Sequence, residues 1–208
     1  MYNLKKKLPI KKLINFSQVF LSRVCDKILL KNFSFKNFSR LFFLGFAIAL
    51  IVLFFDLLSK KIVFDIIEKR GETSYINTPQ DYQFKEIKIT SFFSLVRVWN
   101  KGVSFGMFSN LKSSEIIFSF IQGGIGLALL FWLYQVRKIY LAIALGLVIG
   151  GAFGNTIDRI INGAVADFLD FYYQSYHWPA FNLADSAIFV GIVILILDEF
   201  YLTKNRKK

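Results

Sequence analysis

The stretch GGAFGNTIDRIINGAVADFLDFYYQSYHWPAFNLADS, from Gly150 to Ser186, decides the fold because it connects two strongly apolar segments. Charged side chains at membrane depth are costly, so they usually face a bundle interior or a cavity and mark a functional site. This stretch nevertheless contains four aspartates: Asp158, Asp167, Asp170 and Asp185. It therefore predicts a polar site enclosed by membrane helices.

The apolar residues come in long blocks and not at amphipathic spacing, which indicates a membrane protein. A helix needs about 20 mostly apolar residues to cross a hydrocarbon core roughly 30 Å thick. Four blocks approach this length, and we predict spans at about 41–58, 116–134, 139–157 and 181–197. We expect one transmembrane domain over residues 41–202, with a basic arm over 1–40 before it and a basic tail over 203–208 after it.

The segment of about 61–112 is polar enough to lie outside the bilayer as a small sheet and a loop. In FKEIKITSFFSLVRVWNKG, residues 84–102, partial alternation and the content of Ile, Val, Phe and Thr predict two short strands that end near Asn100. GETSYINTPQ, residues 71–80, is rich in turn formers. The expected fold is an all-α integral membrane protein with four transmembrane helices and a small extracytoplasmic antiparallel β-sheet.

The formal charge of +12 could indicate a nucleic-acid binder, but the distribution of the basic residues favours membrane orientation instead. Most of the Lys and Arg residues lie in the arm, in the connection between the second and third spans, and in the tail. By the positive-inside rule, both termini are cytoplasmic. The arm could also be attracted to anionic lipid heads, and we expect no nucleic-acid partner.

This topology brings the outer ends of the first, third and fourth spans to one membrane level. Lys60 follows Asp56 by four positions and shares its helix face, which by itself predicts a snorkelling ion pair at the end of the span. We expect Asp158 to pair with an arginine and Asp170 to be a solvated neighbour. The polar residues at this level are Asp56, Asn155, Asp158, Arg159, Asp167, Asn182 and Asp185.

Two neighbouring carboxylates in a low dielectric cannot both ionise cheaply, so one keeps a proton and the pair supplies an acid and a base. That chemistry suits peptide hydrolysis without a metal or cofactor. A serine triad would need His177 beside Ser175 or Ser186, whereas His177 and Trp178 read more simply as an interfacial anchor. The residues alone are equally compatible with two other functions. One is a proton- or ion-coupled transporter subunit, and the other is a scaffold whose arm recruits partners.

Four separated sequence patches carry a family resemblance. They are D-x-x-x-K at 56–60, N-x-G-x-x-F-G at 100–106, G-N-x-x-D-R followed by V-x-D-F at 154–168, and F-N-x-A-D-S at 181–186. In this order and at these levels, they resemble the lipoprotein signal peptidases (signal peptidase II), over residues 41–202. The departures are Val103 and Ser104 in place of small alanines, Ala166 in place of a second valine, and the long arm.

The resemblance implies an aspartyl endopeptidase of the bacterial cytoplasmic (inner) membrane, with its active site near the outer face. It would cut the signal peptide from a diacylglyceryl-modified prolipoprotein just before the lipidated cysteine, and globomycin would block it. Asp167 and Asp185 would be the catalytic dyad, with no cofactor. The supporting or substrate-binding residues would be Asp56, Lys60, Asn100, Gly102, Gly151, Asn155, Asp158, Arg159 and Asn182.

Overall fold

The computed structural model describes residues 39–76, 82–101 and 114–205. The predicted basic arm before Ser39 lies outside the described residues. So do Gly102 and the residues that follow it in its motif, up to Gly106, and the last three residues of the tail.

Four helices run through the described chain: α1 (Arg40–Arg70), α2 (Ser114–Tyr134), α3 (Ile139–Asn162) and α4 (Leu183–Asn205). Helix α1 begins where the Ser39 hydroxyl accepts a hydrogen bond from the Phe42 amide at 3.2 Å. It continues to Arg70, well past the predicted end of the first span. Among the described residues, three helices are long and apolar enough to cross a membrane: Arg40–Arg70, Ile116–Tyr134 and Ile139–Asn162.

Helix α3 is central, because it packs against each of the other three helices. Glycines allow this close approach: a Cβ on Gly146 would come within 2.5 Å of the Gly45 carbonyl oxygen of α1. A Cβ on Gly151 would come equally close, at 2.5 Å, to the Ala184 carbonyl oxygen of α4. Small residues at helix crossings let membrane helices pack backbone to backbone. This packing brings the polar residues of α1, α3 and α4 together.

A five-stranded antiparallel sheet has the order β1 (Glu72–Ile76), β2 (Tyr82–Thr90), β3 (Phe93–Asn100), β4 (Val165–Tyr173) and β5 (Tyr176–His177). The two strands predicted to end near Asn100 are confirmed as β2 and β3. The turn predicted over residues 71–80 is wrong where β1 forms, because β1 gains its hydrogen bonds from β2. Strands β4 and β5 were not predicted.

The sheet packs on the C-terminal half of α1. Phe64 of α1 forms a buried apolar cluster with Ala166 and Phe168 of β4, and its ring meets Trp99 edge to face at 5.1 Å. The Leu169 amide donates to the Phe181 carbonyl at 2.9 Å, and the Phe181 amide donates back at 3.1 Å. Strand β4 is therefore fixed beside the segment that starts α4.

Candidate active site

Asp167 lies near the start of β4, with 2% of its surface exposed. Its Oδ2 accepts a hydrogen bond from Nδ2 of Asn100 at 3.0 Å, and its Oδ1 accepts one from Nδ2 of Asn182 at 2.8 Å. Asn100 is the last residue of β3, which pairs with β4, so the sheet register delivers this amide to the carboxylate. Asp167 is thus held by neutral donors from two separate parts of the chain.

Asp185 lies in the first turn of α4, where it forms a reciprocal cap with Asn182. The Asp185 amide donates to Asn182 Oδ1 at 2.9 Å, and the Asn182 amide lies 3.3 Å from Asp185 Oδ2. This is the geometry of a capping box, in which side chains at the cap and three residues later satisfy each other's backbone amides. Part of the F-N-x-A-D-S patch therefore has a local cause, the start of α4.

Two asparagine amides connect the carboxylates. Asn155 of α3 donates from Nδ2 to Asp185 Oδ1 at 2.8 Å, and its Oδ1 accepts from Nδ2 of Asn182 at 3.1 Å. Asn182 also holds Asp167, so one chain of hydrogen bonds runs from Asp185 to Asp167 through both amides. The structure thus brings Asn155, Asp167, Asn182 and Asp185 together, as predicted.

The pKa of Asp167 is raised to about 7, first by burial and then by the neighbouring Asp185 carboxylate. The hydrogen bonds from Asn100 and Asn182 oppose this increase because they stabilise the ionised form. A carboxyl group with this pKa carries a proton in about half of the molecules at neutral pH. The pair can therefore supply a base and an acid under physiological conditions.

A second group of charges lies beside the first. Nζ of Lys60 lies 2.6 Å from Asp56 Oδ2, 3.0 Å from Asp158 Oδ2 and 3.0 Å from Asn155 Oδ1. The Lys60 side chain is only 4% exposed, so the snorkelling interpretation of this ion pair is wrong. The reason is that α1 continues to Arg70 and packs on α3, which places Lys60 inside the bundle.

The two carboxylates of this charged group also accept backbone hydrogen bonds. Asp56 Oδ1 accepts from the Ala184 amide at 2.9 Å, at the start of α4. Asp158 Oδ2 accepts from the Ala166 amide at 3.0 Å, next to Asp167. Asp56 and Asp158 thus fix the backbone segments that carry Asp185 and Asp167.

Arg159 and Gly151 lie at the edges of the site. Arg159 donates from Nη1 to Gln122 Oε1 of α2 at 2.7 Å, and its guanidinium lies over the Phe118 ring, 6.0 Å from the centroid. Asp158 was predicted to pair with an arginine, but its ion pair in the structure is with Lys60. Gly151 contributes space for the backbone of α4 at Ala184.

Asp170 forms a polar cluster that the sequence did not predict. It is 4% exposed, so the expectation of a solvated neighbour is wrong. Ser94 of β3, its partner in the sheet register, donates to Asp170 Oδ2 at 2.9 Å, and His177 Nδ1 lies 2.9 Å from the same oxygen. The only signal in the sequence was the three-residue spacing of Asp167 and Asp170, which does not reveal Ser94, 76 positions away.

The structure does not pair His177 with Ser175 or Ser186, the serines that a triad would need. His177 and Ser94 both contact the same carboxylate of Asp170, and the Ser186 hydroxyl donates to the Asn182 carbonyl at 3.0 Å. Within the described residues, no group of three His, Cys, Asp or Glu side chains could hold a metal ion.

Comparisons with known proteins identify relatives of this chain. The family model described as "Signal peptidase (SPase) II" matches residues 48–201. The lipoprotein signal peptidase of Aeromonas hydrophila subsp. hydrophila is 42% identical over 128 residues, which are 60% of this chain and 77% of that protein. That of Anaplasma marginale (strain Florida) is 44% identical over 118 residues, 56% of this chain and 69% of that protein.

A solved structure is also similar. It is described as a bacterial membrane enzyme determined by the in meso method, and it aligns with a TM-score of 0.61 at 28% identity. The alignment covers 79% of this chain and 92% of that chain. Because the family model matches well over half of the sequence, and the paired carboxylates fit an aspartic-type peptidase, this chain belongs to the signal peptidase II family.

Proposed function

We propose that this chain removes the signal peptide from diacylglyceryl-modified bacterial prolipoproteins, cutting before the lipidated cysteine, with Asp167 and Asp185 as its catalytic dyad. The observation that carries the proposal is that two carboxylates on separate elements, a buried Asp167 and a partly buried Asp185, are joined through the amides of Asn155 and Asn182. The transporter alternative finds no support in the family match.

In this mechanism, the ionised carboxylate takes a proton from water while the water oxygen bonds to the scissile carbonyl carbon. The protonated carboxyl group gives its proton to the carbonyl oxygen, which yields a tetrahedral intermediate. The carboxylate that is now ionised takes a proton from one hydroxyl of this intermediate as the carbonyl reforms and the C–N bond breaks. The other carboxyl group, which took the proton from water, gives it to the leaving amine. No covalent enzyme intermediate is needed.

The supporting residues have separate roles in this proposal. Asn100, Asn155 and Asn182 hold the carboxylates. Arg159 and the Gly102 motif would position the backbone of the substrate. The Asp56–Lys60–Asp158 group holds the starts of β4 and α4 at the site. Donors fixed before the reaction begins cost no reorganisation in the transition state.

A cavity beside the site suits a lipidated substrate. It has a volume of about 290 Å³ and is lined by Ile116, Ser119, Phe120, Arg159 and Ile160. Phe120 and Ile160 are largely exposed, as expected for side chains that face lipid. A substrate that carries acyl chains would approach from this side without leaving the bilayer.

We also propose the topology predicted from charge. Helix α4 would be a fourth span within a domain of residues 41–202, and both termini would be cytoplasmic. The excess of basic residues in the arm and the tail supports this orientation. The active site would then lie near the outer face, where modified prolipoproteins are exposed.

The test is cleavage of a synthetic diacylglyceryl-modified prolipoprotein by the purified, full-length protein. We expect Asp167→Asn and Asp185→Asn each to reduce the rate by about 1,000-fold or more, because general acid and base catalysis are both lost. Asp65→Asn, at an exposed position of α1, is the matched control and should cleave normally. Globomycin should block the wild type in the same assay.

Full activity in either dyad variant would overturn the assignment of the dyad. Cleavage of the unmodified precursor at the same rate as the modified one would overturn the lipidated substrate. The two outcomes are independent, so each part of the proposal can fail separately.

A further inference from the structure

Lys60 makes one contact that a purely structural ion pair does not need. Its ammonium group has three N–H donors, and Asp56 and Asp158 accept from it at 2.6 and 3.0 Å. The remaining contact is to Oδ1 of Asn155, 3.0 Å away. A buried cation that already has two carboxylates is thus also bonded to the amide that holds Asp185.

This contact determines which way the Asn155 amide points. The two ends of an asparagine amide are nearly equal in shape, so their direction follows from the hydrogen-bond network. Lysine can only donate, so the oxygen of Asn155 must face Lys60. The Nδ2 group then faces Asp185 and donates to it at 2.8 Å.

The same constraint passes to the second amide. Since Asn155 Oδ1 is an acceptor, Asn182 turns its Nδ2 toward it, at 3.1 Å, and that Nδ2 also donates to Asp167 at 2.8 Å. The oxygen of Asn182 then accepts from the Asp185 amide at 2.9 Å. One cation therefore sets the direction of two amides.

We propose that Lys60 is a positioning residue that fixes the direction of the Asn155 amide and so gives each catalytic carboxylate its own amide donor. Without Lys60, Asn155 can turn and present its oxygen to Asp185. That arrangement favours a protonated Asp185, which moves the shared proton away from Asp167. This inference rests on the proposed role of Asp167 and Asp185.

The decisive variant must remove the donor without adding a buried charge. Lys60, Asp56 and Asp158 together carry one net negative charge, and the double variant Asp56→Asn/Lys60→Met keeps this value. The amide that replaces the Asp56 carboxylate can still accept from the Ala184 amide. Lys61→Met, one residue along at an exposed position of α1, is the matched control and should cleave normally.

We expect the double variant to lower kcat by about 10- to 100-fold, which is no more than the lower end of the contribution of one acid–base group, while KM changes by less than about twofold. The pH at which kcat is half-maximal should also move. In an Asn155→Ala background, the same two substitutions should change kcat by less than about threefold, because the residue through which Lys60 acts is absent. An unchanged kcat, or an equal loss in both backgrounds, would overturn the proposal.

Asn155→Asp tests the second step without touching Lys60. The new carboxylate can pair with Lys60, which favours folding, but it cannot donate to Asp185. We expect a loss of kcat of the same order, and wild-type kcat would overturn the inference even if the Lys60 variants do not accumulate. If Asp167→Asn is inactive and the Lys60 double variant is fully active, only this inference fails; if Asp167→Asn is active, the proposed dyad fails.

Discussion

Two pairs of carboxylates lie side by side in this protein, and they differ in what holds them. Asp56 and Asp158 share the ammonium group of Lys60. Asp185 accepts from the neutral amide of Asn155, and Asp167 accepts from those of Asn100 and Asn182. A cation compensates negative charge, whereas an amide donates a hydrogen bond and leaves the charge in place. The two pairs therefore differ in whether a cation compensates their charge by direct contact.

This difference assigns the two pairs different purposes. The pair bound to Lys60 is suited to holding the backbone, because its two carboxylates accept hydrogen bonds from backbone amides at the starts of β4 and α4. The amide-bound pair is suited to exchanging a proton, since the pKa of Asp167 lies at about 7. The difference can be tested by removing the partner of each pair in turn.

The largest expected effect follows from Lys60→Met alone. The substitution leaves Asp56 and Asp158 buried without their cation, which should destabilise the fold by about 3–5 kcal/mol. For a chain of this size, that corresponds to a melting temperature lower by roughly 10 °C in detergent. Adding Asp56→Asn should recover part of the loss. A melting temperature within about 2 °C of wild type for Lys60→Met would show that the ion pairs do not hold the helices.

The sequence predicted the helices and the convergence of their polar residues, because both depend on local patterns. Long apolar runs define spans, and alternating spans place Asp56, Asn155 and Asp185 at the same end. The partners of Lys60 could not be predicted in the same way. Asn155 is 95 positions away, and its contact with Lys60 depends on how closely α1 approaches α3.

That approach depends on Gly154, where an added Cβ would run into Oδ2 of Asp56. A glycine next to an asparagine in a membrane helix indicates close packing, but not which side chain fills the space. Strand β4 was missed for a related reason. Its first four residues, 165–168, are all buried, so the period-two alternation that identifies a half-buried strand is absent.

A smaller effect should appear in the pH dependence of stability for Asp167→Asn. The pKa of Asp167 is about 7 in the folded protein, above its ordinary value of 3.8. Folded wild type therefore holds a proton that the unfolded chain releases between about pH 4 and pH 7. Its stability should decrease across this window and level off above it.

The variant lacks this proton, so its melting temperature relative to wild type should rise from about pH 4 to pH 7. Thermal unfolding in detergent at a series of pH values measures the difference. The exposed control Asp65→Asn should follow wild type throughout. A constant difference between Asp167→Asn and wild type would mean that Asp167 is already ionised at low pH in the folded state.

The smallest expected effect concerns Asp170, a buried carboxylate that neither pair contains. Ser94 is fully buried and donates to it, and His177 approaches it from β5. Ser94→Ala removes one donor from a buried acceptor, which should cost about 1–3 kcal/mol. Because Asp170 keeps His177 and does not contact the amides of the dyad, kcat should stay within about twofold of wild type.

Ser91→Ala, in the exposed turn before β3, is the control for loss of a hydroxyl and should leave the melting temperature unchanged. A fall in kcat for Ser94→Ala as large as that of the Lys60 double variant would mean that β4 transmits strain from Asp170 to Asp167, three residues away. The two buried aspartates of β4 would then act as one unit. Unchanged kcat with a lower melting temperature would separate them, one holding the sheet together and the other performing the reaction.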